Sequence, residues 1–181
     1  MTANTQVRPT GVERTFGPDE LIVTKTDPRG IITYANEVFL RVSALAEQDA
    51  VGSPHSVIRH PDMPRAVFKL LWDTLEQRQE MFAYIQNLAA DGAHYWVFAH
   101  VSPTIDVTGQ VIGYHSTRRS PDPPAVAAAA ELYAELRAEE QRHAGARQAV
   151  AASSALLDQK LVGRGQTYEE FVWELTNKAN P

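Results

Sequence analysis

Apolar positions recur along this chain in two rhythms, a period of two in some stretches and spacings of three and four in others. Residues 21–26, Leu-Ile-Val-Thr-Lys-Thr, are rich in β-branched side chains and predict a strand. Asp27-Pro28-Arg29-Gly30 is a turn signal, because proline presets φ and glycine tolerates a positive one. Residues 31–34 then return as a second strand. From Asn36 the rhythm becomes helical. Asn36 suits the cap of a short helix carrying Val38, Phe39 and Val42, and residues 47–51 suggest a further turn ended by Gly52. The stretch 53–64 holds three prolines and two histidines and is not one regular element. Pro64 suits the first position of a helix reaching about residue 79, with Val67, Phe68, Leu71, Trp72 and Leu75 on one face. Three strands follow, over 82–88, 94–101 and 111–118, joined by Asp91-Gly92 and by a turn with Gly109. This order predicts an α+β fold, a five-stranded antiparallel sheet with helices on one face.

Beyond the Pro-rich residues 121–124 the chain turns Ala- and Glu-rich. A single long helix is expected from Ala125 to about Leu161, with Val126, Leu132, Tyr133 and Leu136 as its apolar stripe and Gly163 and Gly165 as its end. Thr167-Tyr168-Glu169-Glu170 is a capping box that opens a last helix with Phe171, Val172 and Leu175. The division is thus a loosely ordered arm over 1–20, a domain over 21–120 and a helical extension over 121–181.

Composition narrows the function. Hydrophobic residues are 44% and charged residues 22%, enough for a buried core. A formal net charge of -5 with no basic patch argues against a nucleic-acid binder. The absence of cysteine excludes disulfides, thiolate metal sites and a cysteine nucleophile, and agrees with a cytoplasmic setting. No stretch is long and apolar enough to span a bilayer, and residues 1–12 lack the apolar core of a signal peptide. No nucleophile elbow, phosphate loop or paired carboxylate frame appears, so an enzyme is not expected.

The motifs then become specific. Arg59-His60-Pro61-Asp62-Met63-Pro64, followed by Phe68 and Trp72, then by His94-Tyr95-Trp96-Val97 and Gly113-Tyr114, resembles the flavin-binding PAS domain of bacterial aerotaxis receptors over residues 20–137. The resemblance implies a PAS fold, FAD held non-covalently, and redox or oxygen sensing passed to a signalling protein in trans. It implies flavin-binding roles for Asn36, Arg59, His60 and Asp62. Arg59 suits a pyrophosphate through bidentate, charge-assisted hydrogen bonds. His60 offers a donor or a stacking face. Asp62 is divided between ribose hydroxyls and capping the long helix. The chain departs from the family at Met81 and Ala83, where relatives carry Trp and Gly, at Leu88-Ala89-Ala90, where they are basic, and at His115, where they are apolar.

Strand alternation suggests the pocket walls. Tyr95, Val97, Ala99 and Val101 share one face and are suited to lining a cavity. Trp96, Phe98, His100 and Ser102 share the other, whose aromatics need cover from a tail helix or from a second subunit. In the third strand Ala83, Ile85 and Asn87 alternate together, and a buried Asn87 needs partners that an isoalloxazine edge could supply. In the fifth, Gly113, His115 and Thr117 alternate, and Gly113 is read as a close backbone approach to a ligand. Trp72 reads first as core, within reach of the ligand.

Other readings stay open. His55 and His60 do not have a recognised metal spacing. His115 could ligate haem in a gas sensor of the same fold. A ligand-free interaction module is the third reading. The charges Arg137, Glu139, Glu140 and Arg142 read as a solvated helix face. The apolar stripe of the tail suggests a homodimer, or else a tail folded back over the outer sheet face.

Overall fold

The turn at Asp27 closes as its residues require. Asp27 Oδ1 accepts hydrogen bonds from the Arg29 and Ile31 amides at 2.8 and 2.9 Å, and Gly30 takes φ 79°. Strands β1 (Ile22–Thr26) and β2 (Ile32–Ala35) pair across it. The computed structural model describes residues 7–179. Asn36 caps α1 (Glu37–Ser43), accepting from the Phe39 amide at 3.0 Å. A short α2 (Glu47–Ala50) and a 3-10 turn (His55–Ile58) lead to α3 (Arg65–Glu76). Strands β3 (Met81–Leu88), β4 (His94–Ile105) and β5 (Val111–Arg119) complete an antiparallel sheet in the order β2-β1-β5-β4-β3. The predicted sheet and its helices are therefore present.

The inner face of the sheet packs on these helices. Ile22, Val97 and Ala99 from the strands and Phe39, Val42, Ile58, Val67 and Leu75 from the helical side are all essentially inaccessible. Burying each larger side chain stabilises the fold by about 1.5–3 kcal/mol before entropy is counted.

The outer face over β3 and β4 is covered by the chain's own tail. Helix α4 (Pro123–Gln141) places Tyr133 beside Trp96, with ring centroids 6.2 Å apart, and the Tyr133 hydroxyl donates to the Tyr84 carbonyl at 2.8 Å. Helix α6 (Tyr168–Ala179) sets Trp173 against Phe82 and Phe98 at 4.8 and 5.9 Å. The Tyr168 hydroxyl closes the contact on Tyr133 at 2.7 Å. Between them, α5 (Ala146–Arg164) packs against α3.

Several expectations about the ends need correction. The single helix expected from Ala125 to about Leu161 is two helices, because Gly145 stands at the N-cap of α5 and is unfavourable inside a helix. Gly163 lies within α5, and Gly165, at φ 64°, ends it. The capping box holds, with Thr167 Oγ1 accepting from the Glu170 amide at 3.2 Å and Glu170 accepting from the Thr167 amide at 2.7 Å. The first six residues of the arm lie outside the described residues. Residues 7–20 are tied to the β3–β4 turn by backbone bonds, Thr10 to Gly92 and Arg14 to His94, and by an Arg14–Asp91 ion pair.

Glu140 is not on a solvated face. It is 4% exposed, and its Oε1 accepts from the Arg65 and Ala66 amides that open α3, at 2.6 and 3.3 Å, and from Ser153 Oγ of α5 at 2.9 Å. Arg137 neutralises the other oxygen at 3.0 Å. The cap expected of Asp62 is thus supplied from the tail, because Pro64 occupies the N-cap position without a side-chain bond and Asp62 stays 75% exposed. Replacing Glu140 with Ala should destabilise the protein by about 2–4 kcal/mol, as for a buried, multiply bonded carboxylate. Urea unfolding measures this. Adding Arg137→Ala should cost less than in the wild-type background, because the two residues act as one unit.

Candidate functional site

Between the sheet, the 3-10 turn and α3 lies a cavity of about 210 Å³. Its walls are apolar: Leu71, Trp72 and Leu75 from α3, Ile85 from β3, Ala99 and Val101 from β4. Its polar lining groups include Thr24 and Thr26 of β1, Ser116 and Arg118 of β5, Asn87 of the edge strand β3, and His55 of the 3-10 turn. None of the residues lining it is acidic.

Strand parity decides who faces it. On β3 and β4 the expected faces are the inner ones, with Ala83, Ile85 and Asn87 on β3 and Tyr95, Val97, Ala99 and Val101 on β4. On β5 the expectation is reversed. Tyr114, Ser116 and Arg118 line the cavity, and Gly113, His115 and Thr117 lie on the opposite face. Gly113 does mark a close backbone approach, but to a neighbouring strand. A Cβ there would sit 2.2 Å from the Thr26 carbonyl oxygen. The glycine therefore points to strand packing, and reading it as a ligand contact moved the strand by one residue.

Of the residues expected to bind a cofactor, Arg59, Trp72 and Asn87 line the cavity. Trp72 meets Tyr114 edge-on at 5.4 Å. Arg59 lies at the exposed rim, its guanidinium 3.9 Å above the Phe68 ring, a cation–π contact. The other six do not line it. Asn36 Oδ1 is engaged by the Val23 and Phe39 amides, and its Nδ2 donates to the Leu21 carbonyl. His60 is buried against His94, 6.0 Å away, with its Nδ1 accepting from the Asp62 amide at 3.1 Å. The Asp62 side chain faces solvent. Tyr95 and Val97 share the inner face but sit in packed core. His115 is on the far face, where burial and the nearby Lys25 lower its pKa.

The residues that sequence reasoning missed form the base of the cavity. Arg118 is 3% exposed, and no carboxylate pairs with it among the described residues. Its Nη2 donates to Thr24 Oγ1 at 2.8 Å and to His55 Nε2. Arginine offers no acceptor, so His55 Nε2 is the unprotonated nitrogen of a neutral ring. Burial first, and the Arg118 charge second, hold the His55 pKa well below 6.5. Burial also lowers Arg118 to about 10, so the guanidinium keeps its charge at neutral pH. Arg118 Nη1, Asn87 Nδ2, Ser116 Oγ and Thr26 Oγ1 are buried without a hydrogen-bond partner. Each such orphan costs about 1–3 kcal/mol, and more when charged. Four of them lie on residues around this one cavity. The available signal was parity counted from Tyr114, which brings two polar residues, Ser116 and Arg118, onto an apolar face. No group of three metal-binding side chains occurs among the described residues.

The histidines give the fold a pH dependence. His55 and His60 bind protons less readily in the folded chain, largely through burial. Below their ordinary value of 6.5 the unfolded chain therefore holds more protons. Stability is full above that value and falls as the pH drops through it. The shifted carboxylates Glu20 and Asp27 act only below their ordinary values of 4.5 and 3.8. The free energy of unfolding in urea should thus decline between about pH 6.5 and about pH 5, by up to about 1.4 kcal/mol per pH unit for each histidine kept neutral. His55→Gln should flatten that decline, and an unchanged slope would refute the assignment.

Comparison with known proteins agrees with this architecture. The family described as PAS fold matches residues 32–118. The aerotaxis receptor of Escherichia coli (strain K12) is 37% identical over 120 residues, which is 66% of this chain and 24% of the receptor. The nitrogen fixation regulatory protein of Klebsiella pneumoniae is 29% identical over 97 residues, 54% of this chain and 20% of that protein. The chain thus spans about a fifth to a quarter of the length of these relatives. Among solved structures, a Light-Oxygen-Voltage domain (Flavin Analogue Sheds Light on Light-Oxygen-Voltage Domain Mechanism) superposes with a TM-score of 0.56 at 19% identity, over 68% of this chain and 90% of that one. The dark structure of the blue-light photoreceptor Aureochrome1 LOV gives a TM-score of 0.52 at 22% identity, over 67% and 84%. This chain therefore carries a PAS-fold domain, similar in sequence to a segment of the aerotaxis receptor.

Proposed function

We propose that this chain is a sensor rather than an enzyme, and that it holds FAD non-covalently and reports redox or oxygen state to a partner protein in the cytoplasm. The observation that carries the reading is the pair of unpartnered donors, Asn87 Nδ2 and Arg118 Nη1, on residues lining an apolar, acid-free cavity. A ring with acceptors on one edge and apolar faces fits such walls. The similarity to an aerotaxis receptor supports the stimulus class.

The cavity is smaller than the roughly 300 Å³ at which pockets for whole drug-sized ligands begin, so it suits the ring and leaves the rest of the dinucleotide at the mouth. There the exposed Arg59, held over Phe68, is positioned for the pyrophosphate. His60 and Asp62 would serve by shaping the Arg59 loop, and Asn36 by fixing α1.

When bound, the flavin supplies reversible electron transfer that changes charge and protonation on its ring. Asn87 in β3 and Arg118 in β5 would feel that change through their hydrogen bonds. Phe68 and Trp72 would carry it into α3, whose first amides rest on Glu140. The tail would then differ between states as far as the two redox forms differ in affinity for each arrangement. A partner in trans, or a second copy, would meet the outward tail surface, where Val162 and Trp173 are exposed. Among the described residues no helix is long and apolar enough to cross a membrane.

Haem is disfavoured by the histidines. His115 is on the wrong face, and the His55 Nε2 lone pair is committed to Arg118. The visible spectrum of purified protein decides: flavin gives broad bands near about 370 and 450 nm, and haem one band near about 400 nm. Protein that stays colourless after addition of FAD would overturn the reading and favour a ligand-free module. Arg59→Ala should weaken FAD binding by about 10- to 100-fold, the worth of charge-assisted hydrogen bonds. Because Arg59 is at the rim, its melting temperature without ligand should stay close to that of the wild type.

A further inference from the structure

Arg118 is a buried cation that the fold satisfies only in part, its guanidinium lying 5.9 Å from the Phe39 ring centroid. Both bonds of its Nη2 go to neutral groups, Thr24 and His55, and its Nη1 has no partner. Among the described residues no carboxylate pairs with it. The other two cavity arginines differ. Arg29 is paired with Asp27, and Arg59 is exposed at the rim. The base of the cavity therefore carries a net positive charge in a region shielded from water, where electrostatic interactions are stronger than in solution.

We propose that Arg118 holds the acceptor edge of the bound ring and biases its redox equilibrium, so that the reduced, more negatively charged ring binds more tightly than the oxidised one. This rests on the flavin reading above. Two electrons and one proton added to a neutral isoalloxazine leave one net negative charge. The electrons come from an external reductant, the proton comes from water, and Arg118 keeps its own protons throughout. The oxidised ring presents dipolar acceptors to Arg118 and the reduced ring presents a charge, so the gain on reduction is differential. Thr24 and His55 act as positioning residues, because they fix which nitrogen of the guanidinium is left for the ligand.

The test is the midpoint potential of the FAD-loaded full chain, titrated anaerobically with dithionite, for wild type and Arg118→Met. The Met variant should prefer the reduced ring at least tenfold less, a fall of about 30 mV for a two-electron couple. If Met prevents folding, judged by circular dichroism, Arg118→Gln removes the charge and keeps an amide for Thr24 and His55, with the same expected fall. Arg118→Lys, which retains the charge, should keep more than half of the difference. A preference for the reduced ring that falls by less than tenfold in the neutral variant overturns the proposal, as does a Lys variant as low as Met. Wild-type protein that takes up no FAD instead overturns the flavin reading itself, so the two failures are distinct.

Discussion

The contact on which the cavity depends joins Arg118 to Thr24 and His55. Two of the three lie on adjacent, paired strands at the centre of the sheet, and the third lies on the 3-10 turn that faces them. The contact holds that turn at the sheet through its polar groups. It does so with an unpaired cation, which a folded chain tolerates poorly in its interior. An apolar residue at 118 would be the simpler way to fill a core, and the sheet could then pack solid. Keeping arginine there preserves both an opening and a donor, at a cost in stability that a ligand can offset.

A second buried charge performs a different task. Glu140 is satisfied in every direction, by two amides of α3, by Ser153 and by Arg137. It brings together the end of α4, the body of α5 and the start of α3, elements that cover different faces of the sheet. The tail is therefore part of the packed structure. With α4 and α6 laid over Trp96, Phe98 and Phe82, the outer face offers little of the aromatic surface that a second copy would need. The same arrangement places the cavity helix and the tail in direct mechanical contact, without a chain of intermediaries.

Most of the architecture is legible in the sequence because it rests on local rules. The Asp27 turn, the Asn36 cap, the apolar face of α3, the two inner strand faces on β3 and β4 and the Thr167 capping box each follow from a few adjacent residues. What escapes depends on distant partners. Nothing near Pro64 indicates that its helix is capped from residue 140, and nothing near Gly113 indicates that the crowding atom is the Thr26 carbonyl oxygen. The residues of the family motif converge only in part. Arg59 does reach the cavity, whereas its neighbours His60 and Asp62 turn toward His94 and toward solvent. Adjacent residues in an irregular loop have no shared face, so a motif of consecutive residues does not translate into a set of convergent side chains.

The parity of β5 is the most consequential of these corrections, because it exchanges one chemistry for another. With His115 inside, the cavity would present a neutral imidazole, and a metal-bound ligand such as haem would be a natural occupant. With Ser116 and Arg118 inside, it presents a hydroxyl and a permanent cation, both able to donate and neither suited to ligating iron. His55, the histidine that does line the cavity, accepts a hydrogen bond from Arg118, and losing that bond would leave the guanidinium still less satisfied. A one-residue shift in the face of one strand thus separates a pocket walled by a second imidazole from one walled by Ser116 and Arg118.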